Sequence, residues 1–272
     1  MSLIKLLPPS ETNAALEDDN TIIIDVRSPE AYWAGHLPGA RHLNPALLAL
    51  ARTDAASIAT FNALLAALLS TFGLACATRV VIHGQKLDTE AAKAVWALAY
   101  AGHDRIEILD GGLDALNGAI ALVKDAPAVR ATPYRPEFRP ALLATADGIL
   151  AGLKENAIQL VDARDPADYR GDTSSAARFG RIPGARHWPV QDELAHDGRL
   201  ASPDLLRQRL RETGIGTDRP TVLYCGGGGR SARSFLAFSA AGHQNVAVYL
   251  ASWREWGNRD DLPLETGIPV PL

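Results

Sequence analysis

The chain has 272 residues, of which 47% are hydrophobic and 21% are charged, and its formal net charge is -4. This length favours two domains, and the composition excludes a disordered chain. The weakly acidic balance argues against nucleic-acid binding driven by phosphate contacts. Two cysteines in a chain of this length exclude a disulfide scaffold and a zinc site built on cysteine.

The predicted elements begin without a targeting segment. No signal peptide is recognisable, and no run of about 18 apolar residues predicts a membrane span. We therefore expect a cytoplasmic protein with no membrane partner and no nucleic-acid partner. The longest apolar region, residues 58–74, predicts an Ala/Leu-rich core helix.

Short apolar runs predict the strands. In the first half they cover residues 21–25, 79–83 and 104–109, and a helix covers 89–100. In the second half the strands cover 158–162, 220–224 and 245–250, and a helix covers 231–241. This alternation predicts an α/β fold in which each half is a mostly parallel sheet with helices on both faces.

The two halves repeat each other. Four sequence blocks recur in the same order, among them Asp25-Val-Arg-Ser-Pro-Glu-Ala-Tyr32, which returns as Asp162-Ala-Arg-Asp-Pro-Ala-Asp-Tyr169. The second copy carries eight extra residues before its Pro-Gly-Ala-Arg-His block, and a proline-rich stretch separates the copies. We predict domains at residues 1–125 and 140–272, with a linker at 126–139.

A cysteine stands where such folds place their sites, at the carboxyl end of a parallel strand. Cys225 follows a predicted strand and precedes four glycines, Gly226, Gly227, Gly228 and Gly229, and then Arg230 and Ser231. A glycine loop that opens a helix can turn its backbone N–H groups toward one anion. We therefore predict that Cys225 has a depressed pKa and is a nucleophilic thiolate.

The loop Cys225-Gly-Gly-Gly-Gly-Arg-Ser-Ala232 resembles the active-site loop of rhodaneses. Three further segments are similar to that family: Asp162-Ala-Arg164 with Tyr169, Gly180-Arg-Ile-Pro-Gly-Ala185, and Tyr249-Leu-Ala-Ser-Trp-Arg-Glu-Trp-Gly257. The first copy resembles the family at Asp25-Val-Arg27, Gly35-His-Leu-Pro-Gly-Ala40 and Leu109-Asp-Gly-Gly112. The chain is identified as a tandem-domain sulfurtransferase, in the group that contains thiosulfate and 3-mercaptopyruvate sulfurtransferases.

The resemblance implies a mechanism. Cys225 takes a sulfane sulfur from a small donor as a persulfide, and the loop amides of residues 226–230 stabilise the outer sulfur. Cyanide, a small thiol or a reduced thioredoxin-like protein then accepts that sulfur. The family reaction needs neither a metal nor an organic cofactor, and we predict no metal site.

The first copy is expected to be catalytically silent. The ungapped alignment places Gly84 opposite Cys225, so the first loop has no nucleophile. In the family such a domain helps to wall the site, and Lys86 and Asp88 either contribute to that wall or lie in a solvated loop. Cys76 aligns with Thr217 and is expected to be a small, partly buried residue.

The sulfur donor is left open between two classes. Thiosulfate-specific members resemble Cys-Arg-Lys-Gly, whereas mercaptopyruvate-using members resemble Cys-Gly-Ser-Gly, and the glycines after Cys225 favour the second. Arg230 weakens that assignment, because it matches single-domain rhodaneses. Arg170, Arg178 and Arg181 are candidates to hold a donor carboxylate, and each is otherwise a structural or surface charge.

Two rival functions remain. A Cys-dependent phosphatase has a Cys-x5-Arg loop, and here only four residues separate Cys225 from Arg230, a ring that suits one sulfur atom better than a phosphoryl group. A persulfide carrier or regulatory binding module would accept sulfur stoichiometrically without turning over.

Overall fold

The structure, a computed structural model, describes residues 4–267 and contains two parallel sheets with helices packed against them. The strands are β1 Ile4–Leu7, β2 Thr21–Asp25, β3 Arg41–His42, β4 Arg79–His83, β5 Ile106–Leu109, β6 Gln159–Asp162, β7 Arg186–His187, β8 Thr221–Tyr224 and β9 Val246–Val248. The α-helices are α1 Thr12–Leu16, α2 Pro29–Ala34, α3 Ala55–Thr71, α4 Thr89–Tyr100, α5 Ala146–Lys154, α6 Pro166–Arg170, α7 Pro203–Glu212, α8 Gly229–Ala240 and α9 Ser252–Trp256. Short 3-10 helices cover Pro9–Glu11, Pro45–Leu48, Leu113–Leu116, Pro140–Leu142 and Val190–Glu193.

Both sheets place the predicted strands side by side. The first has the order β1-β5-β4-β2-β3 and the second the order β7-β6-β8-β9, and every pairing within them is parallel. The predicted α/β fold is therefore confirmed. In register, Asp25 pairs with His83, and Asp162 pairs with Tyr224. In each copy, the aspartate that ends one strand thus lies beside the last residue of the neighbouring strand, and the two pairs occupy equivalent positions.

The helix predicted over residues 58–74 forms as α3, but its prediction as a core helix is wrong. Only Phe61, Leu65 and Leu69 are buried, a stripe with a spacing of four residues, and Leu64 is 43% exposed. The helix buried on all sides is α4, in which every residue from Ala91 to Tyr100 is buried. Small alanine side chains let its backbone approach its neighbours closely, a property that apolar run length does not reveal.

Each copy has its own apolar core. In the first copy, Leu7, Ile23, Val81 and Leu109 from four strands meet Tyr32 of α2. In the second copy the core is richer in aromatic residues and contains Tyr224, Tyr249, Trp253 and Trp256. The motif from 249 to 257 therefore builds the core of the second sheet as well as following its last strand.

The chain divides into two compact units that are not continuous in sequence. One comprises the chain up to Leu48, Ala59–Arg139 and Leu194–Leu200; the other comprises Ala49–Ile58, Pro140–Glu193 and the chain from Ala201. Within the second unit, Thr53 donates its backbone N–H and its hydroxyl to the buried carboxylate of Glu255, over 3.0 and 2.7 Å. Within the first, Leu200 donates its N–H to Asp110 over 2.8 Å. The domain boundaries at 125 and 140 stay a prediction.

No helix among residues 4–267 combines the length and the apolar character that crossing a lipid bilayer requires.

Candidate active site

Cys225 lies directly after β8 and is 2% exposed. The backbone N–H of Gly228 points at its sulfur, with 3.1 Å between nitrogen and Sγ. The hydroxyl oxygens of Ser231 and Ser252 lie 3.7 and 3.9 Å from the same sulfur. The thiol therefore sits among polar groups that stabilise a negative charge, although solvent barely reaches it.

The loop that surrounds the sulfur depends on one glycine in particular. Of the four consecutive glycines only Gly228 has a positive φ, 92°, and a Cβ at this position would lie 2.6 Å from Leu250 Cδ1 and 2.7 Å from the Leu250 carbonyl oxygen. Gly228 caps α8, which begins at Gly229, two residues earlier than predicted. The amino end of α8 therefore opens directly onto the cysteine loop, where its partial positive charge favours an anion.

Electrostatics at Cys225 favour the thiolate. Burial by itself would raise the pKa of the thiol. The amide N–H groups of Ser231 and Gly227, the Ser231 hydroxyl and the charge of Arg230 outweigh that effect and hold the pKa below the 9.0 of an ordinary cysteine. The surroundings of the sulfur thus favour the thiolate form that the loop sequence predicts.

The segment after β9 braces the loop. The N–H of Cys225 is accepted by Ser252 Oγ at 3.1 Å, the N–H of Trp253 is donated to the Cys225 carbonyl, and the N–H of Arg254 is donated to the Gly226 carbonyl, both at 3.0 Å. Ser252 has a φ of 56°, which is unusual outside glycine, and its hydroxyl donates to Tyr249 over 2.7 Å. Residues 252–254 thus position the loop, a role that the sequence analysis did not assign to them.

Two charged residues at the loop, Asp165 and Arg254, were also missed by the sequence analysis. Arg230 donates to the carboxylate of Asp165 over 2.7 Å, so its charge is balanced within the site. Arg254 places its guanidinium against Gly227, 3.3–3.8 Å from where a Cβ would stand. Its position between the two tryptophans of the C-terminal motif is the one sequence signal that could have identified Arg254 as a site residue. Nothing in the sequence indicates which loop glycine it faces.

A buried ion pair supports the strand ends beneath this loop. Arg164 donates to Asp162 over 2.6 Å and packs against Trp253, with its guanidinium carbon 4.4 Å from the ring centroid. Tyr224 also donates to Asp162, over 2.7 Å. The Asp-x-Arg motif therefore has a structural function that links β6 to the aromatic core.

Both halves of the chain match one protein family. Residues 8–119 and 145–259 each match the family described as rhodanese-like domain. The chain belongs to the rhodanese-like family. The predicted recognition of a tandem-domain member is confirmed.

The rhodanese-like chain is similar along nearly its whole length to named sulfurtransferases. It is 30% identical to the thiosulfate sulfurtransferase of Azotobacter vinelandii, over 97% of this chain and 98% of that protein. It is 28% identical to the 3-mercaptopyruvate sulfurtransferase of Escherichia coli K12, over 92% and 94%. The predicted sulfurtransferase activity agrees with both names.

A solved structure shares the rhodanese-like fold. The anaerobic ergothioneine biosynthesis enzyme of Chlorobium limicola, in complex with trimethyl histidine, superposes with a TM-score of 0.86 at 24% identity. The superposition covers 97% of this chain and 71% of that one.

The three arginines predicted as donor ligands are engaged elsewhere in the second rhodanese-like domain. Arg178 donates to the carbonyls of Leu262 and Trp256 over 2.8 and 2.7 Å. Arg181 is 3% exposed and lies over the Tyr169 ring, with its guanidinium carbon 4.8 Å from the centroid.

Arg170, the third candidate, pairs with Asp172 on the surface, over 2.8 Å. All three side chains thus have partners within the protein, and their assignment as donor ligands stays a prediction. The inserted segment does reach the cysteine loop, through Ser175, whose Oγ lies 3.7 Å from the Cβ position of Gly226.

The first rhodanese-like loop is filled by its own carboxylate. Asp88 caps α4 by accepting the N–H groups of Glu90 and Ala91 over 3.1 and 2.8 Å. A Cβ added to Gly84 would lie 2.7 Å from Asp88 Cγ. Burial raises the pKa of this carboxyl group, while the amides of Ala91, Glu90 and Lys86 act in the opposite direction.

The alignment explains what Asp88 replaces. Two of its amide partners, Lys86 and Glu90, lie opposite residues 227 and 231, whose amides face the sulfur of Cys225. The carboxylate therefore occupies, in the first copy, the anion position of the second. Its engagement within its own loop leaves the predicted wall function without support from this side chain.

Cys76 is exposed, so the prediction of a partly buried residue is wrong. It lies in a turn that precedes β4. Among the described residues, 4–267, there is no group of three or more His, Cys, Asp and Glu side chains that could hold a metal ion. His103 and His243 follow the same Ala-Gly dipeptide in the two copies, and they bond to the Thr78 carbonyl and the Thr221 hydroxyl, which are structural contacts.

Proposed function

We propose that this chain is a sulfurtransferase in which Cys225 carries the transferred sulfur as a persulfide. The observation that carries the proposal is the surroundings of one atom: Sγ of Cys225 lies 3.1 Å from the Gly228 amide nitrogen, next to two serine hydroxyls and at the amino end of α8. Such a nest stabilises a sulfur anion, and it would stabilise the outer sulfur of a persulfide in the same way.

The first half-reaction transfers sulfur to the protein. With thiosulfate, the Cys225 thiolate attacks the outer sulfur, an S–S bond forms, and the bond to the sulfonate sulfur breaks so that sulfite leaves with its electron pair. With 3-mercaptopyruvate, the C–S bond breaks instead, and the resulting enolate takes up the donor's thiol proton to become pyruvate. Both routes leave a persulfide anion and need no external oxidant.

The second half-reaction returns the cysteine. Cyanide or a thiolate attacks the outer sulfur, the S–S bond breaks, and the Cys225 thiolate leaves. A depressed pKa makes this thiolate a better leaving group, so the same amides that activate Cys225 as a nucleophile also assist its release.

Loop size favours sulfur transfer over phosphatase chemistry. Gly228 donates its N–H to Sγ, and Leu250 fills the space where a Cβ of Gly228 would stand. The tightest turn of the loop therefore lies directly beside the sulfur. A phosphoryl group needs several donors arranged around three oxygens, whereas a persulfide needs them around one atom.

The deciding experiment compares wild type, Cys225→Ser and Cys76→Ser with thiosulfate and with 3-mercaptopyruvate, using cyanide as acceptor. We expect thiocyanate formation by wild type and Cys76→Ser, and none above background by Cys225→Ser. Mass spectrometry after donor treatment is expected to find one added sulfur atom on Cys225. Full turnover by Cys225→Ser would refute the proposal, and sulfur loading without turnover would identify a carrier instead.

A further inference from the structure

We infer that Arg254 holds the anionic end of the sulfur donor and determines which donors the site accepts. This inference rests on the proposed function, because it names a substrate contact at the same cysteine. It concerns a side chain that follows Trp253 in the C-terminal motif and that the loop sequence does not contain.

Arg254 reaches the loop from a separate segment. Its Nη2, Cζ and Nε atoms lie 3.3, 3.4 and 3.8 Å from the position that a Gly227 Cβ would occupy. Three guanidinium atoms at nearly equal distances mean that the plane of the group covers the glycine. Gly226 and Gly227 are half-buried, whereas Cys225 is buried, and we call these two glycines the rim of the loop. The charge of Arg254 therefore lies over the rim.

The backbone fixes this placement. Arg254 donates its N–H to the Gly226 carbonyl over 3.0 Å, and the preceding Trp253 is fully buried. The Cα of Arg254 is therefore tied to the same loop whose rim its guanidinium covers. Arg254 is exposed, so the donors of its guanidinium are available to a ligand.

The charge of Arg254 is uncompensated, unlike that of its neighbour. Arg230 pairs with Asp165 over 2.7 Å, and its field is thereby reduced. Arg254 forms no ion pair and no side-chain hydrogen bond with any residue between 4 and 267. With one carboxylate and two guanidinium groups at the rim, the local charge is positive on a chain whose net charge is -4.

The chemistry of the first half-reaction requires such a charge. A thiolate that approaches an anionic donor meets electrostatic repulsion, which is strong where little water screens it. A cation that binds the far end of the donor offsets that repulsion and orients the near sulfur toward Sγ. The planar fork of arginine suits a sulfonate or a carboxylate, the two oxyanions that thiosulfate and 3-mercaptopyruvate offer.

The test separates charge recognition from thiolate reactivity. In wild type, Arg254→Gln and Arg254→Lys, Cys225 is alkylated with neutral iodoacetamide and with anionic iodoacetate. We expect Arg254→Gln to keep the iodoacetamide rate within about twofold and to lower the iodoacetate rate by roughly tenfold, with partial rescue by lysine. Arg207→Gln, on the exposed face of α7, is the matched control and is expected to change neither rate.

The same variants are then loaded with each donor in single-turnover experiments. We expect the half-saturating donor concentration to rise roughly tenfold in Arg254→Gln, while the rate at saturation changes little. A rise with thiosulfate alone assigns the sulfonate as the ligand, and a rise with 3-mercaptopyruvate alone assigns the carboxylate.

An unchanged ratio of iodoacetate to iodoacetamide rates in Arg254→Gln would overturn the inference. Failure of wild type to form a persulfide with either donor would instead overturn the proposed function. The two failures are distinguishable, because alkylation does not depend on sulfur transfer.

Discussion

Replacing Gly228 with alanine tests how the loop activates its cysteine. Gly228 has a φ of 92°, and its added Cβ would meet the Leu250 carbonyl oxygen at 2.7 Å and Leu250 Cδ1 at 2.6 Å. The side-chain carbon can rotate away, but the backbone oxygen cannot. The alanine must therefore change the loop backbone, and with it the direction of the N–H group that points at Cys225 Sγ.

The magnitude follows from two contributions. A left-handed conformation costs a non-glycine residue about 1–2 kcal/mol, before the contact with Leu250 is counted. Loss of a hydrogen bond to a charged group costs about 1.5–3 kcal/mol, and 1.36 kcal/mol corresponds to one pKa unit, or roughly a tenfold change in thiolate population below that pKa. We therefore expect the pKa of Cys225 in Gly228→Ala to rise toward its ordinary value.

The neighbouring glycines are matched controls in the same loop. An alanine at Gly226 would meet Arg230 Nη2 at 3.5 Å and Ser175 Oγ at 3.7 Å, which are ordinary contacts. An alanine at Gly227 would meet the Arg254 guanidinium at 3.3 Å, the flexible end of a side chain. Neither glycine has a positive φ. Both variants are expected to keep their reactivity toward a neutral reagent within about twofold.

The assay is the rate of alkylation by iodoacetamide as a function of pH. Wild type is expected to react with a midpoint below the thiol value of 9.0, since its pKa is lowered. Gly228→Ala is expected to react about tenfold more slowly at neutral pH, with a midpoint shifted upward, and to unfold at lower denaturant concentration. Equal pH profiles for Gly228→Ala and Gly226→Ala would show that the backbone conformation at Gly228 does not control how the loop amides lower the pKa of Cys225.

Three further outcomes are expected. Glu255→Ala leaves the N–H and hydroxyl of Thr53 without their acceptor, so the free energy of unfolding should fall by about 2–4 kcal/mol in denaturant titrations, and a change under 1 kcal/mol would contradict this. Combining Gly84→Cys with Asp88→Gly should give a second sulfur-loaded cysteine by mass spectrometry, whereas Gly84→Cys alone should not, because the carboxylate occupies that space. Since the folded pKa of Cys225 is lowered, the unfolded chain holds more protons between that pKa and 9.0. The stability of wild type relative to Cys225→Ser should therefore rise with pH through this window and be lost as pH falls through the folded pKa, and a flat difference would exclude the linkage.

Much of the fold could be predicted because the repeat tests each element twice. Residues 21–25, 79–83 and 89–100 form the elements predicted for them. The glycines that follow α4 and α8, Gly102 and Gly242, have the positive φ of helix-ending residues. The strands β3 and β7 have two residues each, too few for alternation to be visible. β1 is a strand because β5 pairs with it, a fact about the sheet and not about its four residues.

The candidate site, too, could be predicted only in part. The position of Cys225 and its glycines followed from local spacing, because a strand, a loop and a helix are consecutive in the chain. The bracing residues 252–254 and the partner of Arg230 lie 27–29 and 65 positions away, and no local pattern encodes such distances. Arginine candidates were selected by motif position alone, and packing has given Arg178 and Arg181 backbone carbonyls as partners.

Each copy contributes a short segment, residues 49–58 or 194–200, to the compact unit of the other copy. These segments bear on whether the catalytically silent copy can be removed. Residues 49–58 precede the linker but belong to the second compact unit. There Thr53 donates two hydrogen bonds to the carboxylate of Glu255. A chain that starts at the linker would contain the cysteine loop but not residues 49–58. The complementary N-terminal fragment would lack residues 194–200. Deleting the copy without a nucleophile would therefore also remove a segment that the compact unit of the other copy contains.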